Sequence, residues 1–307
     1  MSKPEKKGPG RPPKHPPAPS VEKLGVIDVA AVDYHVLELS YDNPQDFKSI
    51  FNYFKSIKAE EIHVVCDKQG MKIYARDHSN TSTTIVVIDG ANMNTYFCKE
   101  ESLTFGLNRA RVEKLFASID KDFYTIELSM NRHERDRMEI LLKNSTISKD
   151  CRYDVFLTNY PLDHELYSCA DMLSEETAKT FRLSFRLSSK DFKKTVTDIS
   201  NYSTSMTIEK FGTKPLQITY TKENKLQYAE SYRDPDKIFL VHDLKVNESF
   251  VCTLDDISVA KSITSCASVS ETKISCRRGN ILFISPLGNN ITIYTNLQTT
   301  AIRPPAE

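Results

Sequence analysis

Two stretches of the chain repeat each other at a nearly constant distance. The motif Asp-Phe-Lys at 46–48 opens an amphipathic segment, and the same motif at 191–193 opens another one 145 residues later. The pattern Val-x-Lys at 112–114 recurs at 259–261, which is 147 residues later. Two similar offsets along one chain indicate two copies of one structural unit.

Hydrophobic periodicity predicts two helices in each copy, and most of the remaining segments alternate as strands do. The helices are expected at about 44–58, 108–120, 189–200 and 255–267. Strands are expected at 37–41, 61–66, 71–76, 82–88, 102–107, 123–130, 137–143, 151–158, 182–188, 205–211, 215–221, 225–231, 237–242, 272–277, 280–286 and 290–297. Few helices and many strands predict an α+β class with antiparallel sheets.

The chain divides into five segments by composition and pattern. Residues 1–35 form a basic, Pro-rich tail that is expected to be disordered, with seven prolines in the first 20 residues. The first folded copy is expected over 36–158 and the second over 182–298. A connector at 159–181, in which a short helical turn is possible, and a tail at 299–307 complete the chain.

Charge is unevenly distributed although the formal net charge is zero. The first 20 residues hold five basic residues and one acid, whereas the remainder holds 36 basic and 40 acidic residues. A slightly acidic body does not attract DNA by its overall charge. Nucleic-acid binding there requires cations that are concentrated on one surface.

Three helices of this acidic body have basic faces. The first helix has no carboxylate between Phe47 and Lys58, and the second and third expose basic side chains beside their apolar stripes. Charge of this kind favours contacts to phosphates, which position a protein on DNA without reading sequence. The absence of interleaved aromatic residues argues against single-strand binding by base stacking.

Motifs of enzymes, metal sites and membrane spans are absent from the sequence. The seven cysteines have no CxxC spacing, which fits a reducing, intracellular setting, and the seven histidines form no HExxH motif. Asp77-His78-Ser79 is interpreted as a polar turn, because adjacent residues cannot form a catalytic relay. No apolar run approaches the roughly 18 residues of a membrane span. We therefore expect no catalytic role, no metal, no cofactor and no membrane association.

Four stretches of the chain together resemble sliding clamps of the proliferating cell nuclear antigen (PCNA) type, over residues 36–298. They are SYDNPQDFKSIFNYFKSI, IYARDHSNTSTTIVVI, SLTFGLNRARVEKLF with DFYTIEL, and SSKDFKKTVTDISNY. The GPGRPPK start followed by YDNP is similar to the PCNA-like clamps of asfarvirus-type large DNA viruses. The resemblance implies a head-to-tail homotrimeric ring, with two domains per chain, sheets outside and helices lining the hole.

The resemblance also assigns roles to individual residues. It implies that seven cations face duplex DNA: Lys48, Lys55, Arg111, Lys114, Lys193, Lys194 and Lys261. It implies a partner-docking pocket under the connector that involves Arg76, Thr81, Leu162, Leu166 and Tyr294, with Arg76 and Thr81 standing where the family usually has apolar residues. The expected subunit contact pairs strand 151–158 with strand 225–231 and involves Tyr153, Val155, Leu226 and Tyr228. The implied partners are a DNA polymerase and other replication or repair proteins, at a viral replication site in the host cytoplasm or nucleus.

The N-terminal tail contains a further candidate site. Lys7–Lys14 includes Gly10-Arg11-Pro12 and resembles an AT-hook, in which the central Arg11 would enter the minor groove of A·T-rich DNA. A solubilising tail and a nuclear-import patch remain alternatives. For the whole chain, the alternatives to a clamp are a monomeric processivity subunit of a DNA polymerase and an AT-hook chromatin or transcription factor.

Overall fold

The computed structural model describes residues 34–144, 149–160, 163–173, 179–222, 225–233, 238–264, 270–288 and 290–299. The expected tail up to residue 33, including Arg11, lies outside the described residues, as do Leu162 and residues 300–307. His35, placed in the tail by the sequence, already belongs to the first strand.

The order of elements is the same in both copies. The helices are α1 (Pro44–Ser56), α2 (Arg109–Ala117), α3 (His164–Ser168), α4 (Ser189–Ser200) and α5 (Ser258–Thr264). The strands are β1 (His35–Tyr41), β2 (Glu61–Asp67), β3 (Gly70–Arg76), β4 (Ser82–Asp89), β5 (Thr95–Cys98), β6 (Leu103–Asn108), β7 (Thr125–Asn131), β8 (Arg137–Asn144), β9 (Lys149–Phe156), β10 (Leu183–Ser188), β11 (Met206–Phe211), β12 (Leu216–Lys222), β13 (Lys225–Tyr232), β14 (Ile238–His242), β15 (Ser249–Leu254), β16 (Glu271–Arg277), β17 (Asn280–Leu287) and β18 (Ile291–Gln298). Each copy has one strand, a helix, five strands, a second helix and three strands, which is the predicted order with one additional strand before the second helix.

The sequence patterns missed two strands and misplaced some helix ends. β5 is only four residues long, and β15 alternates buried and half-buried residues in a segment that the prediction left unassigned. α1 ends at Ser56 rather than at 58, because Lys58 has a positive φ of 57° that stops the helix. The described part of α5 begins at Ser258 rather than at 255.

The first helix of each copy packs its predicted apolar stripe into the core. In α1, Phe47, Phe51 and Phe54 are buried, and Pro44 occupies the first turn. Phe116 of α2 stacks on Phe51, with ring centroids 3.7 Å apart and planes 5° apart. This contact fixes α1 against α2, so their polar faces point to the same side.

Three antiparallel sheets form the framework. Their strand orders are β5-β1-β7-β8-β9, then β14-β10-β16-β17-β18-β4-β3-β2-β6, and finally β13-β12-β11-β15. The α+β class with antiparallel sheets is therefore confirmed. The central nine-stranded sheet contains strands of both copies, which the sequence did not predict.

The two copies meet where β4 pairs with β18. Seven residue pairs run from Ile291 opposite Ile88 to Leu297 opposite Ser82. Beneath this pairing the hydroxyl of Tyr53 lies 3.1 Å from that of Thr84 and 2.9 Å from that of Thr295. All three groups are buried, and buried hydroxyls need such partners. The junction between the copies is thus both a ladder and a side-chain hydrogen-bond network.

Candidate functional site

The four longer helices lie next to one another. α1 contacts α2, α4 contacts α5, and α1 also contacts α5 across the two copies. Each helix buries its apolar residues, and the opposite, polar face remains exposed. The six exposed cations predicted to contact DNA lie on these faces: Lys55, Arg111, Lys114, Lys193, Lys194 and Lys261.

Two of the predicted DNA-binding lysines have partners within the protein. Lys48 is half-buried, and its Nζ donates a hydrogen bond to the carbonyl of Ile119 at 2.5 Å, so it fastens the segment after α2 to α1. Lys55 forms an ion pair with Glu113 of α2 at 2.5 Å. A hydrogen bond from Lys55 lowers the pKa of Glu113, which also pairs with Arg109. To bind phosphate, both lysines would have to give up these contacts.

Four other cations are better placed for an external polyanion. In the described part of the chain, no carboxylate lies within ion-pair distance of Arg111, Lys114, Lys193 or Lys194. Lys261 donates to the hydroxyl of Ser200 at 3.3 Å. The exposed helix surface is consequently basic at α2 and α4 and partly neutralised at α1.

The outer strand β9 has one unpaired edge. Its register with β8 has no shift, and the N–H of Leu157 bonds to the carbonyl of Asp136 directly opposite. Because hydrogen-bonded pairs alternate along an antiparallel ladder, the N–H groups of Tyr153 and Val155 face β8. Those of Asp154 and Phe156 therefore point away from it. β13 is likewise the outermost strand of its sheet, and it contains Leu226 and Tyr228.

The side chains of β9 also leave apolar surface at this edge. Val155 is buried, whereas Phe156 is 60% exposed. Tyr153 is half-buried, with its hydroxyl 3.5 Å from that of Ser118 after α2. An exposed apolar strand edge is a site of pairing with another chain unless it is covered.

The connector packs directly against the central sheet. Its helix α3 and the following 3-10 turn Cys169–Leu173 place Leu166, which is only 2% exposed, against Tyr74 and Ile85. Tyr294 packs at the margin of the same cluster. The structure therefore brings together three of the five predicted partner-binding residues, namely Arg76, Leu166 and Tyr294, around this helix. Thr81 is exposed at the edge of the neighbouring turn.

Acidic residues that the sequence analysis overlooked hold the connector in place. Arg76 pairs with Asp163 at 3.0 Å and with Glu165 at 3.4 Å. Asp163 also caps α3, since its Oδ1 accepts the N–H of Leu166 at 3.0 Å. An Asp three residues before an apolar residue is a recognisable helix start, but its ion pair with Arg76 joins positions far apart in sequence.

The turn between β3 and β4 is organised by one buried carboxylate. Asp77 accepts the N–H of Ser82 at 2.6 Å and the hydroxyl of Thr81 at 3.1 Å, besides a contact from Ser79. Burial alone would raise the pKa of Asp77, but these hydrogen bonds outweigh it and lower the pKa. The polar turn inferred from the sequence is confirmed.

Other kinds of site are not found in the described ranges. No three His, Cys, Asp or Glu side chains there converge on a point that would hold a metal ion. Among the same residues, no helix is long and apolar enough to cross a membrane.

Comparisons with known proteins identify the family. A family model described as proliferating cell nuclear antigen, N-terminal domain, matches residues 36–166. An uncharacterized protein of African swine fever virus, strain Badajoz 1971 Vero-adapted, is 34% identical over 303 residues, which cover 97% of this chain and 100% of that protein. The chain belongs to this PCNA-like viral family. The corresponding protein of the isolate Pig/Kenya/KEN-50/1950 is also 34% identical, over 95% of this chain and 99% of its own length.

A solved structure supports the fold of this PCNA-like chain independently. The crystal structure of proliferating cellular nuclear antigen from Entamoeba histolytica superimposes with a TM-score of 0.69 and covers 87% of this chain and 99% of the other. Sequence identity is 15%, so the match shows the fold alone. The predicted resemblance to PCNA-type clamps is thereby confirmed.

Proposed function

We propose that this chain is a DNA sliding clamp, a non-enzymatic processivity factor that encircles duplex DNA as a head-to-tail homotrimer. The observation that carries the proposal is the division of strands among the three sheets. The central sheet has nine strands, and the two flanking sheets have five and four. Together the flanking sheets hold the same number of strands as the central one.

The two smaller sheets are equivalent to the two parts of the central sheet. The order β5-β1-β7-β8-β9 matches β14-β10-β16-β17-β18 in the other copy, and β13-β12-β11-β15 matches β4-β3-β2-β6. The central sheet is complete because β18 pairs with β4. Pairing β9 of one chain with β13 of the next would build a second nine-stranded sheet in the same way.

The internal pairing also supplies a register for the proposed contact between chains. Tyr153 lies opposite Ile140 as Thr295 lies opposite Phe283. Tyr228 lies opposite Tyr220 as Thr84 lies opposite Ala75. Since Thr295 pairs with Thr84, the equivalent contact between chains sets Tyr153 opposite Tyr228.

Val155 and Leu226 are then neighbours across the same ladder. They lie two residues beyond Tyr153 and Tyr228, past the register shift between β12 and β13. This arrangement joins the four residues proposed as the subunit interface. The contact is heterologous, because it joins two different surfaces of the chain. An assembly built from it is closed only if successive copies complete a ring.

Closure into a trimer places six copies of the repeat around one hole. In this proposal the helix layer lines the hole, with Arg111, Lys114, Lys193 and Lys194 as the main phosphate contacts. Lys48, Lys55 and Lys261 are secondary contacts because they have partners within the chain. Contacts of this type bind without sequence preference and so permit sliding.

The outer surface would tether enzymes. A polymerase held by the ring stays at the primer end because tethering raises its effective concentration there. We propose a DNA polymerase and other replication or repair proteins as partners, in the host cell at the site of viral replication. Two folded domains, 36–158 and 182–298 joined by the connector 159–181, are part of the same proposal.

Topological linkage to DNA is the property that tests the proposal. The protein would be mixed with nicked circular plasmid, and retention of protein on the DNA would be compared with retention after the plasmid is linearised. A closed ring is retained on the circle and lost from free ends at moderate salt. The mass in solution should equal three copies of the 35.0 kDa chain. A persistent monomer that stimulates polymerase equally on both templates would instead support a monomeric processivity subunit.

A further inference from the structure

One carboxylate lies between two cations where the first two helices of the chain pack together. Oε1 of Glu113 on α2 lies 2.5 Å from Nζ of Lys55 on α1. Its other oxygen, Oε2, accepts a hydrogen bond from Arg109, four residues earlier on α2. Both carboxylate oxygens are therefore engaged with cations of the protein itself, in the helix layer that is proposed to face DNA.

The two cations are held to different degrees. Nε of Arg109 donates to the carbonyl of Ala59 at 2.7 Å, and the Arg109 side chain is only 22% exposed, so a second contact fixes it to the protein. Lys55 is 57% exposed, and in the described part of the chain its ammonium group has no carboxylate partner other than Glu113. A surface ion pair contributes little to stability, so Lys55 can exchange this partner for another anion.

Glu113 carries its negative charge throughout the neutral pH range. The hydrogen bond from Lys55 is the largest cause that lowers the pKa of this carboxyl below its usual range, and it outweighs the opposing effect of burial. The charge of Arg109 acts in the same direction. A phosphate that approaches Lys55 thus meets a lysine that already has a charged partner.

The second copy has no counterpart of this ion pair. At the two offsets of the repeat, Glu113 corresponds to Ala260, which is fully buried, and Lys55 corresponds to Ser200. The two exposed lysines of α4 have no carboxylate within ion-pair distance among the residues that the structure describes. Neutralisation of a helix cation by Glu113 is therefore specific to the first copy.

We propose that Glu113 is an internal counterion that competes with DNA phosphates for Lys55 and so limits how tightly the ring holds duplex DNA. This inference rests on the proposed function and adds a regulating residue to its DNA-binding surface. When Lys55 binds a phosphate, Glu113 loses its partner and attracts a cation from solution. The new contact is offset by the lost one, and the net release of ions from the DNA is smaller.

The consequence of this competition is mobility. Sliding requires each contact between lysine and phosphate to be broken in turn, and a lysine that returns to Glu113 leaves the DNA at little net cost. Around the proposed ring, second copies with unneutralised lysines alternate with first copies that contain Glu113. The second copies would hold the duplex, and the first copies would supply contacts that form and break as the ring moves.

Glu113→Gln tests the proposal, because this change removes the charge and keeps the size of the side chain. Affinity for a short linear duplex would be measured by anisotropy over a range of salt concentrations. We expect binding to be about threefold tighter at low salt, since Lys55 becomes available to phosphate. The slope of log K against log salt should also become steeper, by up to about 0.9 for each Lys55 that is released.

Glu127→Gln is the matched control. Glu127 on β7 pairs with Lys143 at 2.5 Å and is 33% exposed, whereas Glu113 is 27% exposed, so the substitution breaks a similar pair with the same change in net charge. Ile126 and Leu128, on either side of Glu127, belong to the core, so Glu127 lies on the face of its sheet that points away from the helices. This variant should keep the affinity and the salt slope of the wild type.

Lys55→Ala supplies a second measurement that leaves Glu113 in place. In the wild-type background it should weaken duplex binding less than Lys193→Ala does, because Lys55 is already neutralised. Combined with Glu113→Gln, it should remove the whole gain in affinity, since that gain comes from this lysine.

The role of Glu113 is overturned if Glu113→Gln has the affinity and the salt slope of the wild type while Lys193→Ala still weakens binding. A gain that persists in the double variant also overturns it, because such a gain would come from net charge alone. An equal loss of affinity in Lys55→Ala and Lys193→Ala has the same meaning, whether or not the Glu113 variant folds. If no variant binds duplex at any salt concentration although each keeps the wild-type melting temperature, the proposed function itself fails, and the role of Glu113 with it.

Discussion

Asp154 is the position at which the proposed contact between chains can be broken without damage to the chain itself. Its side chain is exposed, and its N–H points away from β8 toward the free edge of β9. In the internal junction the equivalent residue is Asn296, whose N–H faces β4, because Gln298 two residues later bonds to Thr81 there. Proline lacks this N–H but is tolerated at a strand edge.

Asp154→Pro should therefore dissociate the oligomer while the chain remains folded. The substitution removes one ladder hydrogen bond and leaves the opposing carbonyl unpaired, at a cost of about 2 kcal/mol per interface. A cost of that size weakens each contact roughly 30-fold. Mass photometry at nanomolar protein should then show monomers in place of trimers. Asp154→Ala keeps the N–H and should remain trimeric.

Val155→Pro provides the opposite control. The N–H of Val155 faces β8, opposite Met138, so proline there breaks the chain's own sheet. We expect a lower melting temperature of the monomer for this variant, and no such change for Asp154→Pro. If Asp154→Pro keeps three copies at nanomolar concentration, β9 does not form the interface, and the reasoning from the internal junction is wrong.

Three other predictions concern DNA binding and the polar turn. Replacing Lys193 and Lys194 by Glu should weaken duplex binding regardless of DNA sequence, as measured by anisotropy. The slope of log K against log salt should fall by about 0.9 for each lost phosphate contact. An unchanged slope would place these residues outside the DNA interface. Deletion of residues 1–20 should leave the oligomer intact and reduce affinity for A·T-rich duplex more than for G·C-rich duplex, and Arg11→Ala should reproduce most of that bias. Equal losses on both duplexes would mean that the tail acts only as an electrostatic arm. Because the pKa of Asp77 is lower in the folded chain than in the unfolded one, its stabilisation is present above about pH 4 and is lost as pH falls through the folded pKa. The difference in melting temperature between the wild type and Asp77→Asn should therefore shrink between pH 6 and pH 3, and a constant difference would contradict the assignment.

Periodicity was sufficient to predict the repeat, the class and most elements. The stripe of Phe47, Phe51 and Phe54 fixes which face of α1 is buried, and alternation locates most strands. A strand of four residues such as β5 is too short for alternation to mark it. Helix ends were less certain, because the backbone conformation of a single residue, Lys58, sets one of them.

Contacts between distant residues explain what the sequence could not provide. The first helix has no carboxylate between Phe47 and Lys58, yet Glu113 from α2 neutralises Lys55. The connector is held on the central sheet because Arg76 meets Asp163 and Glu165 from a segment almost 90 residues away. Neither interaction has a local pattern, so each emerges only from the packing of separate elements.

The hydroxyl network of Tyr53, Thr84 and Thr295 has a consequence for how a ring would open. The network stabilises the junction between β4 and β18, and these two strands also belong to one continuous chain. In the equivalent junction that we propose between neighbouring chains, Tyr153 and Tyr228 would take the positions of the two threonines, and no covalent bond would join the two chains. A ring built in this way would have three junctions within chains, alternating with three junctions between chains that can separate. DNA would then enter between chains, and the helix layer within each chain would stay intact during loading.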